Sequence, residues 1–403
     1  MKISRNKAIE ILAYIIIIET FVSKMSFFSY SIPTFVNVAF ISILSVLLLR
    51  VTPKSNLLRN DKYTFIVFSM LILLFFQTVT REPFALQMAG LGTSVMLIFA
   101  FGVIFPKALP IDRFMIILRR SLMFSGISSL LLLLSGIGNI YEGGRFSGIF
   151  TDSIIMTQVA SIGIIVFAIH SLERKSLSSV LMSMVYFLLV IMAGSRTSLM
   201  VSIGGILIYF ILAYKPQVKN LIIGKPVIIF IIVMLFPFIS QIAAGMLTGE
   251  IGIGTRKEIT NPIDDRLLHW RYGIKRIQES PFLGYGVLTK YEYNGVYSLD
   301  SFNEMNDPHN MFIYAGQVGG WPLIVLFMAF YFLLIKKVLY GLLSTHSSVK
   351  AIAIVVLLFL AMFFAGGSLF SLGSLMDRFF WLFVGYLAVG STVHSEGVKH
   401  AAR

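Results

Sequence analysis

The feature that most restricts this chain is its run of long apolar stretches. Twelve of them are long enough to span a bilayer, near 8–23, 31–50, 63–79, 85–105, 116–137, 150–170, 177–193, 197–214, 222–239, 310–335, 349–367 and 374–392. Inside hydrocarbon every backbone N–H and C=O must be satisfied internally, so each stretch is expected to be a helix. The expected fold class is all-α, a polytopic membrane helix bundle of about 12 transmembrane helices. The composition fits: 57% hydrophobic and 13% charged, about half the charge of an ordinary soluble domain. A short basic leader (Lys2, Arg5, Lys7) precedes the first stretch without a small-residue cleavage site, so that stretch reads as a retained span.

The net charge of +14 could indicate nucleic acid, but its distribution accounts for it otherwise. With a cytoplasmic N-terminus, most basic residues, among them Arg50, Lys54, Arg113, Arg119, Arg120, Arg174, Lys215, Lys336 and Lys350, fall on the cytoplasmic side. The outer side is slightly acidic. That is the positive-inside asymmetry, and it predicts cytoplasmic termini and needs no nucleic-acid partner to explain the charge. The absence of cysteine excludes disulfide frameworks, thiolate metal sites and cysteine nucleophiles.

Loops are short except one. The expected organisation is residues 1–239 as spans one to nine, 240–309 as a large outer loop, and 310–403 as spans ten to twelve. A loop of roughly 70 residues folds and usually carries function. Within it, Asn261 as N-cap, Pro262 at the first position and Asp264 and Asp265 in the first turn predict a helix over about 262–279, stopped by Ser280-Pro281. Ile263, Leu267, Trp270, Ile274 and Ile277 give it an apolar face and Arg266, Arg271, Lys275 and Arg276 a basic one, as in a helix lying at a membrane surface or capping a bundle.

Charged groups at the edge of a membrane bundle tend to face a cavity where they have partners. On the outer side these are Arg145 in GGRFSGIFTD, Arg196 in AGSRTSLM, Arg266, His309 in NDPHNMF and Arg378 at the start of span twelve. Arginines converging from separate spans suit an anion, because the guanidinium fork matches phosphate oxygens. A snorkelling anchor is the competing reading of Arg196, but small and hydroxyl neighbours and the positive end of a helix favour an anion such as pyrophosphate. Arg145 lies in a Gly-rich segment that also reads as a simple turn. Of the six histidines, only His269 and His309 lie outside. His309, with Asn310 beside it, stands where a general base at the bundle mouth would stand, and capping of span ten is its alternative. Asp264, Asp265, Glu304 and Asp307 have no metal-ligand spacing. P-loop, dinucleotide and nucleophile-elbow signatures are absent. No metal site and no cofactor are expected.

GSRTSL, then DDRLLHWRYGIKRIQESPFLGYG, then DPHNMFIYAGQVGG resembles the bacterial O-antigen polymerase and O-antigen ligase superfamily, over about residues 140–330. The resemblance implies a membrane-embedded glycosyltransferase of the bacterial inner membrane acting on its periplasmic face, in lipopolysaccharide or surface polysaccharide biosynthesis. Its donor is a glycan on undecaprenyl pyrophosphate, and its mechanism is inverting and metal-independent. It also implies Arg196 and Arg266 on the pyrophosphate, joined by Arg145, and His309 as the base that deprotonates the acceptor hydroxyl. Asn310, Trp270, Asp265, Arg271 and Arg378 are candidate supporting residues. Implied partners are the lipid-linked donor and acceptor, membrane lipid and a chain-length regulator protein.

A polymerase passes the chain to the next lipid-linked repeat unit, whereas a ligase passes it to lipid A–core. The ligase pattern is His, an amide or serine, nine residues, Gly, two residues and Gly, Thr or Tyr. His309, Asn310 and Gly320 meet it, but Leu323 does not. A polymerase pattern with Gly eleven residues after each arginine fails at Met156 and Ile277. The polymerase is favoured, since that group is highly divergent and the ligase pattern is met only in part. A twelve-span transporter or flippase is the reading from another class. The short link between spans six and seven and the absence of a six-span repeat disfavour it.

Overall fold

The computed structural model describes residues 4–25, 34–53, 62–80, 84–136, 141–142, 145–214, 262–286, 310–363, 375 and 377–388. The apolar stretch 222–239, most of the 240–309 loop and His309 lie outside the described residues. The helices are α1 (Arg5–Val22), α2 (Thr34–Val51), α3 (Lys62–Val79), α4 (Phe84–Phe99), α5 (Ile111–Ser135), α6 (Ser153–Arg174), α7 (Leu177–Met192), α8 (Arg196–Tyr214), α9 (Pro262–Glu279), α10 (Met311–Leu342) and α11 (Ser347–Phe363). α4 continues through a π-helical turn, Ala100–Ile104, to Ala108. A further helical stretch covers 377–388. The described β-structure is a two-residue hairpin, β1 (Tyr141–Glu142) with β2 (Arg145–Phe146), and an isolated bridge between Met25 and Phe150.

Four helical segments among the described residues are long and apolar enough to cross a membrane: Gln87–Ala108, Ile111–Ser135, Ser153–Arg174 and Met311–Leu342. Shorter apolar helices accompany them at Ala39–Val51, Tyr63–Val79, Leu177–Met192, Ser198–Ile211 and Ser347–Leu360. The protein is therefore an all-α, membrane-type chain. Two boundaries differ from the hydropathy reading. α5 starts at Ile111 just after Pro110, and α6 runs on to Arg174. Arg113 and Arg174 thus sit on terminal helical turns, and Arg119 and Arg120 in the third turn of α5, rather than in loops; long side chains can reach water from a helical backbone.

In lipid, apolar burial does not drive helix association, so close approach and interhelical hydrogen bonds must hold the bundle. α6 is its centre, with Met156, Val159, Ala160, Ile162 and Ile165 fully enclosed and α5, α7, α8 and α11 packed around it. Gly163 lies under the Tyr186 ring, where a Cβ would come closer than 3.0 Å. The Tyr186 hydroxyl is held by Ser125 Oγ at 2.8 Å and donates to the Leu122 carbonyl. Outward, Phe65, Phe76, Leu131, Leu134, Leu177 and Val325 are exposed, the large apolar groups expected against acyl chains.

The two ends of the bundle carry different chemistry. At one end lie Arg113 with Glu10 (3.5 Å), Arg120 with Tyr14 (2.7 Å), Ser348 with Asp112 (2.7 Å) and Tyr209 with Glu173 (3.1 Å). At the other end are the turns that carry the candidate site residues.

Candidate functional site

The turn between α7 and α8 is built from small residues. Gly194 takes a left-handed φ of 67°, which reverses the chain within three residues. Ser195 Oγ accepts from the Ser198 N–H (3.3 Å) and donates to Ser198 Oγ (2.9 Å), capping the start of α8. Ser161 on α6 donates to the Ser198 carbonyl (3.3 Å), tying this turn to the central helix. Arg196 is placed here by its backbone as the first residue of α8, at the positive end of the helix.

The Arg145 hairpin docks on the same turn. Arg145 is half-buried, and its Nε donates to the Ala193 carbonyl at 2.9 Å. Arg145, bonded to the carbonyl that closes α7, and the backbone of Arg196, which opens α8, thus meet at one turn although about 50 residues apart in sequence. The hairpin is anchored by Phe146 and Phe150, both buried. Asp152 caps α6 behind it, accepting from Ile154 N–H at 2.6 Å. The segment around Arg145, which also reads as a simple turn, is thus a docked element.

The second part is formed by α9, the loop after it and a break in α10. α9 packs on α10, with Ile277 buried against Gly316. Ile274 does not join the packed face expected of it: it is 47% exposed, and Gly273 is buried instead. The packed positions 270, 273 and 277 follow the helical repeat, and a glycine among them lets the backbone approach. The basic face is not wholly solvated either. Arg276 stacks over the Tyr285 ring at 4.4 Å, and the Tyr285 hydroxyl donates to Glu279 at 2.9 Å.

The loop Ser280–Gly286 is clamped to α10 where that helix opens at Gly319 and Gly320. Tyr285 N–H donates to the Gln317 carbonyl (2.7 Å), Gly286 N–H to Val318 (2.9 Å), and Trp321 N–H to Pro281 (2.7 Å). Gly320 has φ 64°, and a Cβ on it would fall under 3.0 Å from the Pro281 carbonyl oxygen. Gly284, φ 59°, faces the Val318 carbonyl in the same way. These contacts explain one glycine in each of P-x-x-G-x-G and Q-V-G-G, Gly284 and Gly320, where two backbones approach at a distance no side chain permits; the other two, Gly286 and Gly319, lie against the Gln87 and Gln77 side chains.

Two residues that the sequence does not single out complete the clamp. Gln77, in the last turn of α3, donates to the Phe282 carbonyl (3.3 Å) and to the Gly319 carbonyl. Gln87, near the start of α4, donates to the Tyr285 carbonyl at 2.9 Å. Both are buried. A signal for them exists, since an amide within an apolar span needs an internal partner, but the partners themselves are not encoded locally. Gln87→Leu is expected to leave the Tyr285 carbonyl without this donor, costing about 1–3 kcal/mol. Thermal unfolding of the purified protein in detergent, measured beside wild type, checks this.

The remaining candidates are placed as follows. By their backbone Asp265 stands in the first turn of α9 and Arg266 at the start of the second. Trp270 is half-buried and Arg271 exposed. Asn310 is the N-cap of α10, its Oδ1 accepting from Phe312 N–H (3.0 Å) and Ile313 N–H (3.2 Å). The capping that competes as an explanation for His309 therefore belongs to its neighbour. Arg378 is fully buried and pairs with Glu19 of α1 at 2.9 Å. Among the described residues no group of three or more His, Cys, Asp or Glu could hold a metal ion.

Residues 177–328 match the family model described as O-antigen ligase. No curated protein is similar enough to register as a match. The matched region begins with α7, contains the Arg196 turn, α9 and the clamped loop, and ends past the break in α10. Over residues 177–328 the chain thus carries an O-antigen ligase-type region, a match that supports the O-antigen polymerase and ligase superfamily.

Proposed function

We propose that this protein is a surface polysaccharide polymerase that moves a growing glycan from undecaprenyl pyrophosphate to a hydroxyl of the next lipid-linked repeat unit. The observation that carries the reading is the docking of Arg145 on the turn that starts α8 with Arg196. A pair of cations at a helix N-terminus is suited to a leaving pyrophosphate. Arg266, at the start of the second turn of α9, completes the set from the helix clamped over α10.

In this reading His309 accepts the proton of the acceptor hydroxyl as its oxygen attacks the anomeric carbon. The bond from that carbon to the pyrophosphate oxygen breaks on the opposite face, which inverts the centre. The electron pair leaves on the pyrophosphate, where the arginines stabilise the growing charge. The chain's own side chains supply the base and the electrostatic stabilisation. The reading includes about 12 spans, cytoplasmic termini, an inner-membrane location, a periplasmic site, an outer loop over 240–309 and a chain-length regulator as partner.

The ligase is kept as a second reading, because the matching family model carries that description and His309, Asn310 and Gly320 fit the ligase pattern. Incubating the purified protein with a lipid-linked repeat unit alone separates them. A ladder of longer lipid-linked products is expected for the polymerase; product that forms only when lipid A–core is added establishes the ligase. In the same assay Arg196→Lys is expected to lower the rate at least tenfold, since a point charge does not replace a bidentate fork. Full activity in that variant would make Arg196 an interfacial anchor.

A further inference from the structure

The flank of α9 that faces away from the bundle carries a pattern of its own. Arg271, Ile274 and Lys275 are all exposed and stand three and four residues apart, on one side of the helix. Arg276, on the other flank, is the cation that the fold takes up, over the Tyr285 ring. Neither the Arg271 nor the Lys275 side chain makes an ion pair or hydrogen bond among the described residues. An isoleucine between two such cations is neither a core contact nor part of a purely solvated face.

The loop after α9 continues this surface. Phe282 is 71% exposed and Leu283 is exposed beside it, although the backbone there is held from two sides. The Phe282 carbonyl accepts from Gln77 at 3.3 Å, and the carbonyl of the preceding Pro281 accepts from Trp321 N–H at 2.7 Å. Phe282 thus stands level with Trp321 of α10. Trp321 is itself 53% exposed and heads a stripe of exposed residues along that helix, Val325, Met328, Phe332 and Lys336. From Trp321 to Lys336 is fifteen residues, about 22 Å of helix. Apolar in between, with a tryptophan at one end and a snorkelling lysine at the other, the stripe has the anchors and, with their reach added, the length of a face against about 30 Å of hydrocarbon. Trp321 and Phe282 therefore mark the membrane boundary. α9 packs through Ile277 on Gly316, before the break in α10, and so lies just outside that boundary, at the depth of the headgroups.

We propose that Arg271, Ile274, Lys275, Phe282, Leu283 and Trp321 form a docking surface for the anionic phospholipids of the bilayer. The two cations pair with headgroup phosphates while Ile274 and Phe282 enter the acyl boundary. Because α9 also carries Arg266 and passes directly into the clamped loop, the charge of the bilayer then sets the position of one helix of the candidate site. The surface works in the same way whichever reaction that site performs.

The chain has no cysteine, so Gln278→Cys, on the same exposed flank, gives a single attachment point for an environment-sensitive fluorophore. The labelled full-length protein is placed in nanodiscs of phosphatidylcholine alone or mixed with phosphatidylglycerol, without glycan substrate, and quenched with neutral acrylamide. Quenching is expected to be about twofold weaker in the phosphatidylglycerol discs. High salt, and separately Arg271→Gln combined with Lys275→Gln, is expected to erase that difference. Both positions are exposed, so thermal unfolding of the double variant should match wild type. Phe282→Ser is expected to raise quenching in both lipids, since it removes apolar rather than charged contact. Equal quenching in the two lipids, a difference that survives loss of both cations, or unchanged quenching in Phe282→Ser overturns the proposal. Protection brought about in phosphatidylcholine discs by inorganic pyrophosphate would assign the cations to a soluble anion and overturn it as well.

Discussion

Replacing His309 with alanine is expected to stop glycan extension while the protein remains inserted and folded. A positioned general base contributes about 10²- to 10⁴-fold to a transfer of this kind, so the product ladder should vanish at ordinary enzyme concentrations. The placement of its neighbour sharpens the expectation. Asn310 already caps α10 through two backbone N–H groups, so removing the imidazole leaves the helix start satisfied and should cost little stability. An unchanged melting temperature with lost activity is the expected pair of results. Near-normal extension would remove His309 from the chemistry, and equal loss of both would make it structural.

Gly320→Ala is the second large effect, and it acts through the backbone. The added Cβ would meet the Pro281 carbonyl oxygen, and φ of 64° is unfavourable for alanine in itself. Neither partner is a flexible side chain that could swing away. Strain of about 1–3 kcal/mol is expected from the conformation alone, and the loop must also shift from the Trp321 N–H, breaking a 2.7 Å hydrogen bond. Since that loop leads directly out of α9, the displacement should carry the helix bearing Arg266 with it. Lower thermal stability together with at least a tenfold loss of transfer is expected. Gly136, with φ 65° and open space for 4 Å around the position a Cβ would take, is the control: alanine there should lower stability slightly and leave transfer intact. Wild-type behaviour of Gly320→Ala would mean that the clamp does not hold α9 in its working position.

Much of this molecule follows from signals that act over a few residues. Apolar runs of span length become helices because hydrocarbon offers the backbone no other partner. Pro262 is compatible with a first helical position and Ser280-Pro281 with a stop, because proline lacks an N–H, and α9 runs Pro262–Glu279. Ile274 departs from the packed face because a helical repeat shows that a stripe is apolar without showing which side of it meets a neighbour. Arg276 departs from the solvated face for a related reason: the tyrosine ring it covers becomes its neighbour only once the loop has folded back.

The membrane character of the chain, its all-helical class and the residue types available for chemistry were determined by the sequence alone, because hydropathy and capping are local and additive along the chain. Which of those residues meet was decided by the tertiary structure. Arg145 reaches Ala193, Gln77 reaches the Phe282 and Gly319 carbonyls, and Arg378 reaches Glu19 across nearly the whole chain. Each is a polar group in a bundle interior whose partner is chosen by how helices distant in sequence stack, and no periodicity encodes that choice.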